Sequence, residues 1–326
     1  MKESEIRNNK VLKNYQRLVD QDVKKFFSKK KNFQKADYKS WGCTNVKKIF
    51  DKKSFSYFQC MTTKTIFANP RPKQELLDKF YSDSKSSKYW LKNFFLPKIG
   101  PRTNKIVKPN VKYFSKNFAK YKRKKILDIG AGLGIFLTEL KKKWPKAKYY
   151  ALEPSKSMAE YCRSKNITVF ENTIEKVEPR ENKFDVITCF ELFEHLYDPK
   201  HFLKKIYKLL NKNGILYFTT LNGMGFDIQM LGKNSNSIYP PYHINFFNPE
   251  SVELLLKKVG FKILSIETPG KLDLSIVENN LDLLKDSKKK FISNILKNTT
   301  KQYKENFQRY LQEQKLSSHM RIIVKK

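Results

Sequence analysis

Residues 126–136 read ILDIGAGLGIF, and this stretch decides the fold. An apolar run, Ile126 to Ile129, ends in Gly130, Gly132 and Gly134, and a helical pattern begins at once with Ile135 and Phe136. Glycines at such a junction let the main chain turn sharply. They also let a ligand approach the backbone at the carboxyl end of a first strand, the usual ligand position in an open α/β sheet. A dinucleotide fingerprint needs G-x-G-x-x-G, but its third glycine position is Ile135 here and the chain has G-x-G-x-G instead. Asp128, two residues before Gly130, sets a carboxylate where it would repel a pyrophosphate and favour a cation-bearing ligand. Glu153 ends the next apolar run, YYALE, and its two oxygens can accept both hydroxyl protons of a ribose.

Outward from this stretch, strand and helix signals alternate. Strands are expected at KKILDI (124–129), KYYALEP (148–154), ITVFEN (167–172), FDVITCF (184–190), GILYFTTL (214–221), FKILSIET (261–268) and the closing SSHMRIIVKK (317–326). Helices such as IFLTELKKKW and PKHFLKKIYKLL lie between them. Pro199 suits a first helical turn, Gly214 follows a helix, Asn248 caps before Pro249, and Gly260 closes that helix. The fold class expected is a Rossmann-like, doubly wound α/β sheet with a small N-terminal hairpin module and a helical cap insertion. The expected divisions are a basic helical arm at 1–35, hairpins at 36–70, a helical connector at 71–120, and the α/β domain at 121–326 with a helical insertion at about 270–317. In the arm, Val11, Leu12, Tyr15, Leu18, Val19, Val23 and Phe26 recur at helical spacing, and Asp20 and Asp22 dilute its basic face.

Composition narrows the function. At roughly 150 residues per domain, 326 residues suit about two domains, and 40% hydrophobic residues suffice for a core. No apolar run approaches the roughly 18 residues of a membrane span, and the start lacks a signal-peptide apolar region, so a cytoplasmic chain is expected. Cys43, Cys60, Cys162 and Cys189 are scattered, which suits reduced thiols. The net charge of +36 invites a nucleic-acid reading, yet only 9 of the 67 basic residues are Arg, the side chain with the bidentate fork. The Lys residues are spread along the whole chain alongside many Asn, Ile and Phe, a pattern that biased composition alone produces; an acidic substrate or a membrane surface ranks next and nucleic acid last, and no integral membrane association is expected.

The glycine loop with Asp128, and Glu153 after it, resemble the corresponding motifs of class I S-adenosylmethionine-dependent methyltransferases. FDVITCFELFEHLYDP and NKNGILYFTTLN resemble that family's fourth- and fifth-strand motifs. Ubiquinone-biosynthesis O-methyltransferases and bacterial surface-sugar-pathway methyltransferases are similar subgroups. The resemblance implies S-adenosylmethionine as cofactor, with Asp128, Gly130, Gly132, Gly134, Glu153, Thr173, Ile174 and Phe190 around it. It also implies a small, acidic, hydroxylated acceptor such as a nucleotide sugar or glycan intermediate. A quinol precursor, RNA, or a non-catalytic binding role on the same scaffold are the alternatives.

Methyl transfer from a sulfonium needs an oriented acceptor and, for a hydroxyl, a base. His195 is the candidate by intrinsic basicity, with Glu194 beside it, and His243 in PYHINFFNPESV resembles a substrate-side position of the surface-sugar-pathway subgroup. The helical segment from about Leu272 to Leu316 is expected to cover this side. The E-x-x-E-H spacing of Glu191, Glu194 and His195 also puts three metal-ligand types on one helical turn, although no metal is predicted. Residues 40–72 resemble the N-terminal zinc ribbon of some of these enzymes. Only half of the cysteines remain: Ser40 stands where Cys43 needs a partner, and Thr63 where Cys60 needs one. Two thiols and two hydroxyls make a poor zinc site, so none is expected.

Overall fold

The computed structural model describes residues 9–177, 183–284, 286–297 and 299–326. Parts of the expected arm, α/β domain and helical insertion therefore lie outside the described residues. Helix α1 (Asn9–Phe27) buries Tyr15, Val19, Val23, Phe26 and Phe27, the stripe set by its apolar spacing. Full burial of such a side chain contributes about 1.5–3 kcal/mol. Asp22 is not a surface charge as the sequence suggests: it is buried and accepts from the backbone N–H of Ser86 at 2.7 Å, at the start of helix Lys85–Tyr89.

Strands β1 (Val46–Lys52), β2 (Phe55–Cys60) and β3 (Ile66–Ala68) form an antiparallel meander. Its cysteines do not follow the expected knuckles. Ser40 turns back to the Asp37 carbonyl (2.9 Å), and Thr65 takes the fourth place. The Cys43 thiol meets the Thr63 hydroxyl at 3.4 Å, that hydroxyl meets Thr65 at 2.9 Å, and the Thr63 N–H donates to the Cys60 sulfur. Burial pushes the Cys43 thiol up to about 12, keeping it protonated. Helix α2 (Gln74–Asp83) follows, and irregular helical turns lead through α3 (Lys108–Asn117) to the main sheet.

That sheet contains β4 (Lys125–Ile129), β5 (Lys148–Leu152), β6 (Thr168–Phe170), β7 (Phe184–Phe190), β8 (Leu210–Leu221), β10 (Lys262–Glu267) and β11 (His319–Lys325). Its spatial order is β10-β11-β8-β7-β4-β5-β6. All neighbours are parallel except β11, which runs antiparallel to both β8 and β10. The start of β11 is thereby carried to the carboxyl edge of β7 and β8, with His319 opposite Leu221. Gly214 follows the helix Pro199–Leu209 as expected but does not adjoin it: β8 begins at Leu210 and Gly214 lies within a register shift, where Asn213 takes the left-handed backbone.

Helices α4 (Ile135–Lys143), α5 (Lys156–Ser164), α6 (Pro199–Leu209), α7 (Phe226–Leu231) and α8 (Pro249–Val259) link the strands. Asp198 caps α6, and Asn248 caps α8 in a reciprocal pair with Ser251. A short strand β9 (Asn245–Phe246) leaves the α/β domain to pair with β3. The hairpins consequently share their core with the main sheet, Trp41 and Phe67 packing with Phe193 and Phe247. The buried Arg71 reinforces the joint by donating to the Tyr197 carbonyl at 2.9 Å. Between β10 and β11, helices α9 (Asp273–Glu278), α10 (Asp286–Lys297) and α11 (Lys301–Glu313) pack with α7 as one apolar cluster.

Candidate active site

The glycine loop joins β4 to α4, and Gly130, Gly132 and Gly134 all have positive φ (66°, 54° and 60°). Two of them serve different ends. A Cβ on Gly134 would stand 2.8 Å from the Cys162 sulfur, so that glycine lets α4 and α5 approach. A Cβ on Gly132 would meet nothing nearer than Met158 Sδ at 4.0 Å, which leaves an open backbone cradle. Glu153 braces the loop: one oxygen accepts from the Gly132 N–H at 2.8 Å, the other from the Ser155 N–H at 2.9 Å. Each oxygen keeps a lone pair for a ligand hydroxyl.

Asp128 is buried at the end of β4, and the Thr188 hydroxyl donates to it at 2.7 Å. Burial, supplemented by the Glu153 charge and opposed by Thr188, raises its carboxyl to about 7. A buried carboxylate held by one hydroxyl is suited to a cationic group. Thr173 remains partly accessible, whereas Ile174 turns into the core. The Phe190 ring packs on Phe136, centroids 4.5 Å apart, and is partly exposed.

The residues after β7 divide into two groups. Glu191 does not share a helical turn with Glu194 and His195, because its left-handed backbone (φ 51°) breaks the phase before the single turn Phe193–His195. Its side chain instead accepts from the Thr219 hydroxyl at 2.7 Å and lies 3.3 Å from His319 Nδ1. Partial desolvation would raise Glu191, but His319 and Thr219 hold it down to about 2. The same pairing outweighs desolvation at His319 and raises its imidazole to about 9.

The other group is Glu194, His195 and His243, whose donor atoms lie within 4.8 Å of one another and could hold a divalent cation. Glu194 is buried on the Thr220 hydroxyl (2.8 Å); burial and the Glu191 charge raise it to about 8. His195 Nδ1 lies 3.1 Å from the Tyr81 hydroxyl of α2, and its ring also bonds the Tyr242 carbonyl. Burial and neighbouring His243 lower His195 to about 3, so it is neutral. His243 Nδ1 lies 2.7 Å from the Ser237 carbonyl. The sequence reading missed Tyr81, Tyr242 and His319. His319 was within reach, as one of four histidines and the one in the closing strand motif.

A family model described as a methyltransferase domain matches residues 102–266. The chain belongs to this family, on a sheet and glycine loop of the kind just described. A ubiquinone biosynthesis O-methyltransferase of Proteus mirabilis is 27% identical over 170 residues, covering 50% of this chain and 66% of that protein. The protein of the same name from Actinobacillus pleuropneumoniae is 32% identical over 108 residues, 30% of this chain and 46% of that one. The chain thus spans less than two thirds of the length of these relatives. The plantazolicin methyltransferase BpumL, solved with SAH, superposes with a TM-score of 0.49 at 17% identity, covering 77% of this chain and 94% of that one. No helix of the described residues is long and apolar enough to cross a membrane.

Proposed function

We propose that the protein transfers a methyl group from S-adenosylmethionine to a hydroxyl of a small acceptor. The observation that carries this reading is the cradle at the carboxyl edge of β4, where the open Gly132 backbone lies between Asp128 and Glu153. These residues fit the cofactor: Asp128 for its cationic amino-acid end, Glu153 for its ribose hydroxyls, Thr173 and the partly exposed Phe190 ring beside the adenosyl portion. The cofactor supplies a sulfonium methyl that can be displaced in line by the acceptor oxygen. Glu194, His195 and His243 stand on the acceptor side as orienting groups.

The net charge of +36 supports an acidic acceptor, such as a nucleotide-linked sugar, by raising its local concentration. A quinol precursor is the second reading, favoured by the name shared by the relatives above. Incubation with methyl-tritiated S-adenosylmethionine, against 3,4-dihydroxybenzoate and a uridine-diphosphate sugar, separates the two. Label on the catechol oxygen supports the quinol reading and label on the sugar supports the first. Label on neither acceptor would contradict both.

A further inference from the structure

We propose that His319, held by Glu191, is the group that takes the proton from the acceptor hydroxyl. This rests on the methyl-transfer reading above. The geometry is that of an oriented base. Glu191 contacts Nδ1 at 3.3 Å, which leaves Nε2, on the far side of the ring, for a second partner. The side chains of His319 and Glu191 are 46% and 41% exposed, so the pair is open to an incoming molecule. By contrast, His195 Nδ1 is engaged by the Tyr81 hydroxyl at 3.1 Å, and its ring is packed among Tyr81, Tyr242 and His243.

The pair is also built firmly. Glu191 is fixed by the Thr219 hydroxyl and by its own N–H, which donates to the Thr219 carbonyl at 3.1 Å. The backbone leading into His319 is fixed by α9: Asp273 accepts from the Ser318 N–H at 2.7 Å and from the Ser317 hydroxyl at 2.5 Å. The Ser318 hydroxyl bridges Asp273 and Asp227. The Asn222 N–H, just past β8, donates to the Ser318 carbonyl at 2.8 Å. Strands β7, β8 and β11 therefore bring the dyad to the carboxyl edge where β4 presents Asp128.

In the step, carried out by His319 in its neutral form, the acceptor O–H proton passes to Nε2 while an oxygen lone pair forms the new O–CH3 bond. The C–S bond electrons remain on sulfur, turning the sulfonium into a neutral thioether, and the imidazolium is stabilised by Glu191. The groups facing His319 are Glu191, Glu194 and Asp273, all carboxyl groups, and His243 faces Glu191. Glu191 above all strengthens the base, which then suits a hydroxyl of phenolic acidity, the second of the two acceptor readings above, since a proton is shared best between groups of similar pKa.

The test uses the full chain with 4-nitrocatechol, whose ionisation is visible, in the presence of SAH for binding and S-adenosylmethionine for transfer. We expect wild type to bind 4-nitrocatechol in its ionised form below the pH at which the free probe ionises, and to methylate it. H319Q should retain SAH binding but lower kcat by about 10²–10⁴-fold. E191Q should shift the rising limb of the pH–rate profile downward, toward that of an ordinary imidazole, an effect that a merely structural residue would not produce. H319Q transferring at the wild-type rate, SAH-loaded wild type failing to bind the probe, or wild type supplied with S-adenosylmethionine failing to methylate it, overturns the proposal. Failure of wild type to bind SAH overturns the methyl-transfer reading instead.

Discussion

The two halves of the site are built in opposite ways. The half at β4 and β5 is local: Asp128 and the three glycines lie within seven residues, and Glu153 reaches back to a loop amide. The half at β7, β8 and β11 is assembled from distant segments, with Tyr81, Glu191 and His195, His243, and His319 converging from four stretches of the chain. A short motif can specify a backbone cradle because chain geometry alone makes it. A side-chain chamber depends on topology, and here on the antiparallel closing strand that brings His319 to the carboxyl edge.

The contrast can be broken most strongly at the glycines. Gly134→Ala forces a Cβ against Cys162 in a left-handed backbone. It should cost about 2–4 kcal/mol of stability by denaturant titration, combining overpacking with left-handed strain. Gly132→Ala carries only the strain, about 1–2 kcal/mol, yet should weaken SAH binding more than Gly134→Ala does in the folded fraction. Equal effects on stability would show that the open space at Gly132 has been misread.

Asp128→Ala should weaken SAH binding by about 1.5–3 kcal/mol, the scale of a hydrogen bond to a charged group. Asp128 also gives the local half a pH signature. Burial raises it from 3.8 to about 7 in the free protein. Its contribution to stability is therefore full below the unfolded value and is lost as pH rises through about 7. A bound cationic group favours the carboxylate, so SAH affinity should rise between about pH 5 and 7, by at most tenfold per pH unit for one proton. Calorimetry in buffers of different ionisation heat should detect proton release at pH 6, and its absence would remove Asp128 from the binding role.

The smallest effect lies outside both halves. Thr65→Val removes the hydroxyl that meets Thr63 in the cysteine cluster, and should cost about 1 kcal/mol by thermal unfolding, with SAH binding unchanged.

What the sequence made legible follows the same division. Strand and helix alternation, the cap at Asn248, Pro199 in a first helical turn, and the glycine loop are local signals, and the structure has them at those positions. The phase of the E-x-x-E-H string was not legible, because a single left-handed residue, Glu191, redirects it toward Thr219 and His319. Nor could spacing show that Ser40 faces its own loop while Thr65 joins the cysteines. Both depend on backbone turns rather than on residue type. Asp22 is a third case, since its role as a cap is set by a helix more than sixty residues away.

The most direct test of the central claim, a methyl-donor cradle at Asp128, Gly132 and Glu153, is titration calorimetry of the purified full chain with SAH and, separately, with NAD. One SAH site per chain is expected, weakened by Asp128→Ala and by Glu153→Ala, with no heat from NAD. Binding of NAD with no response to SAH would contradict it.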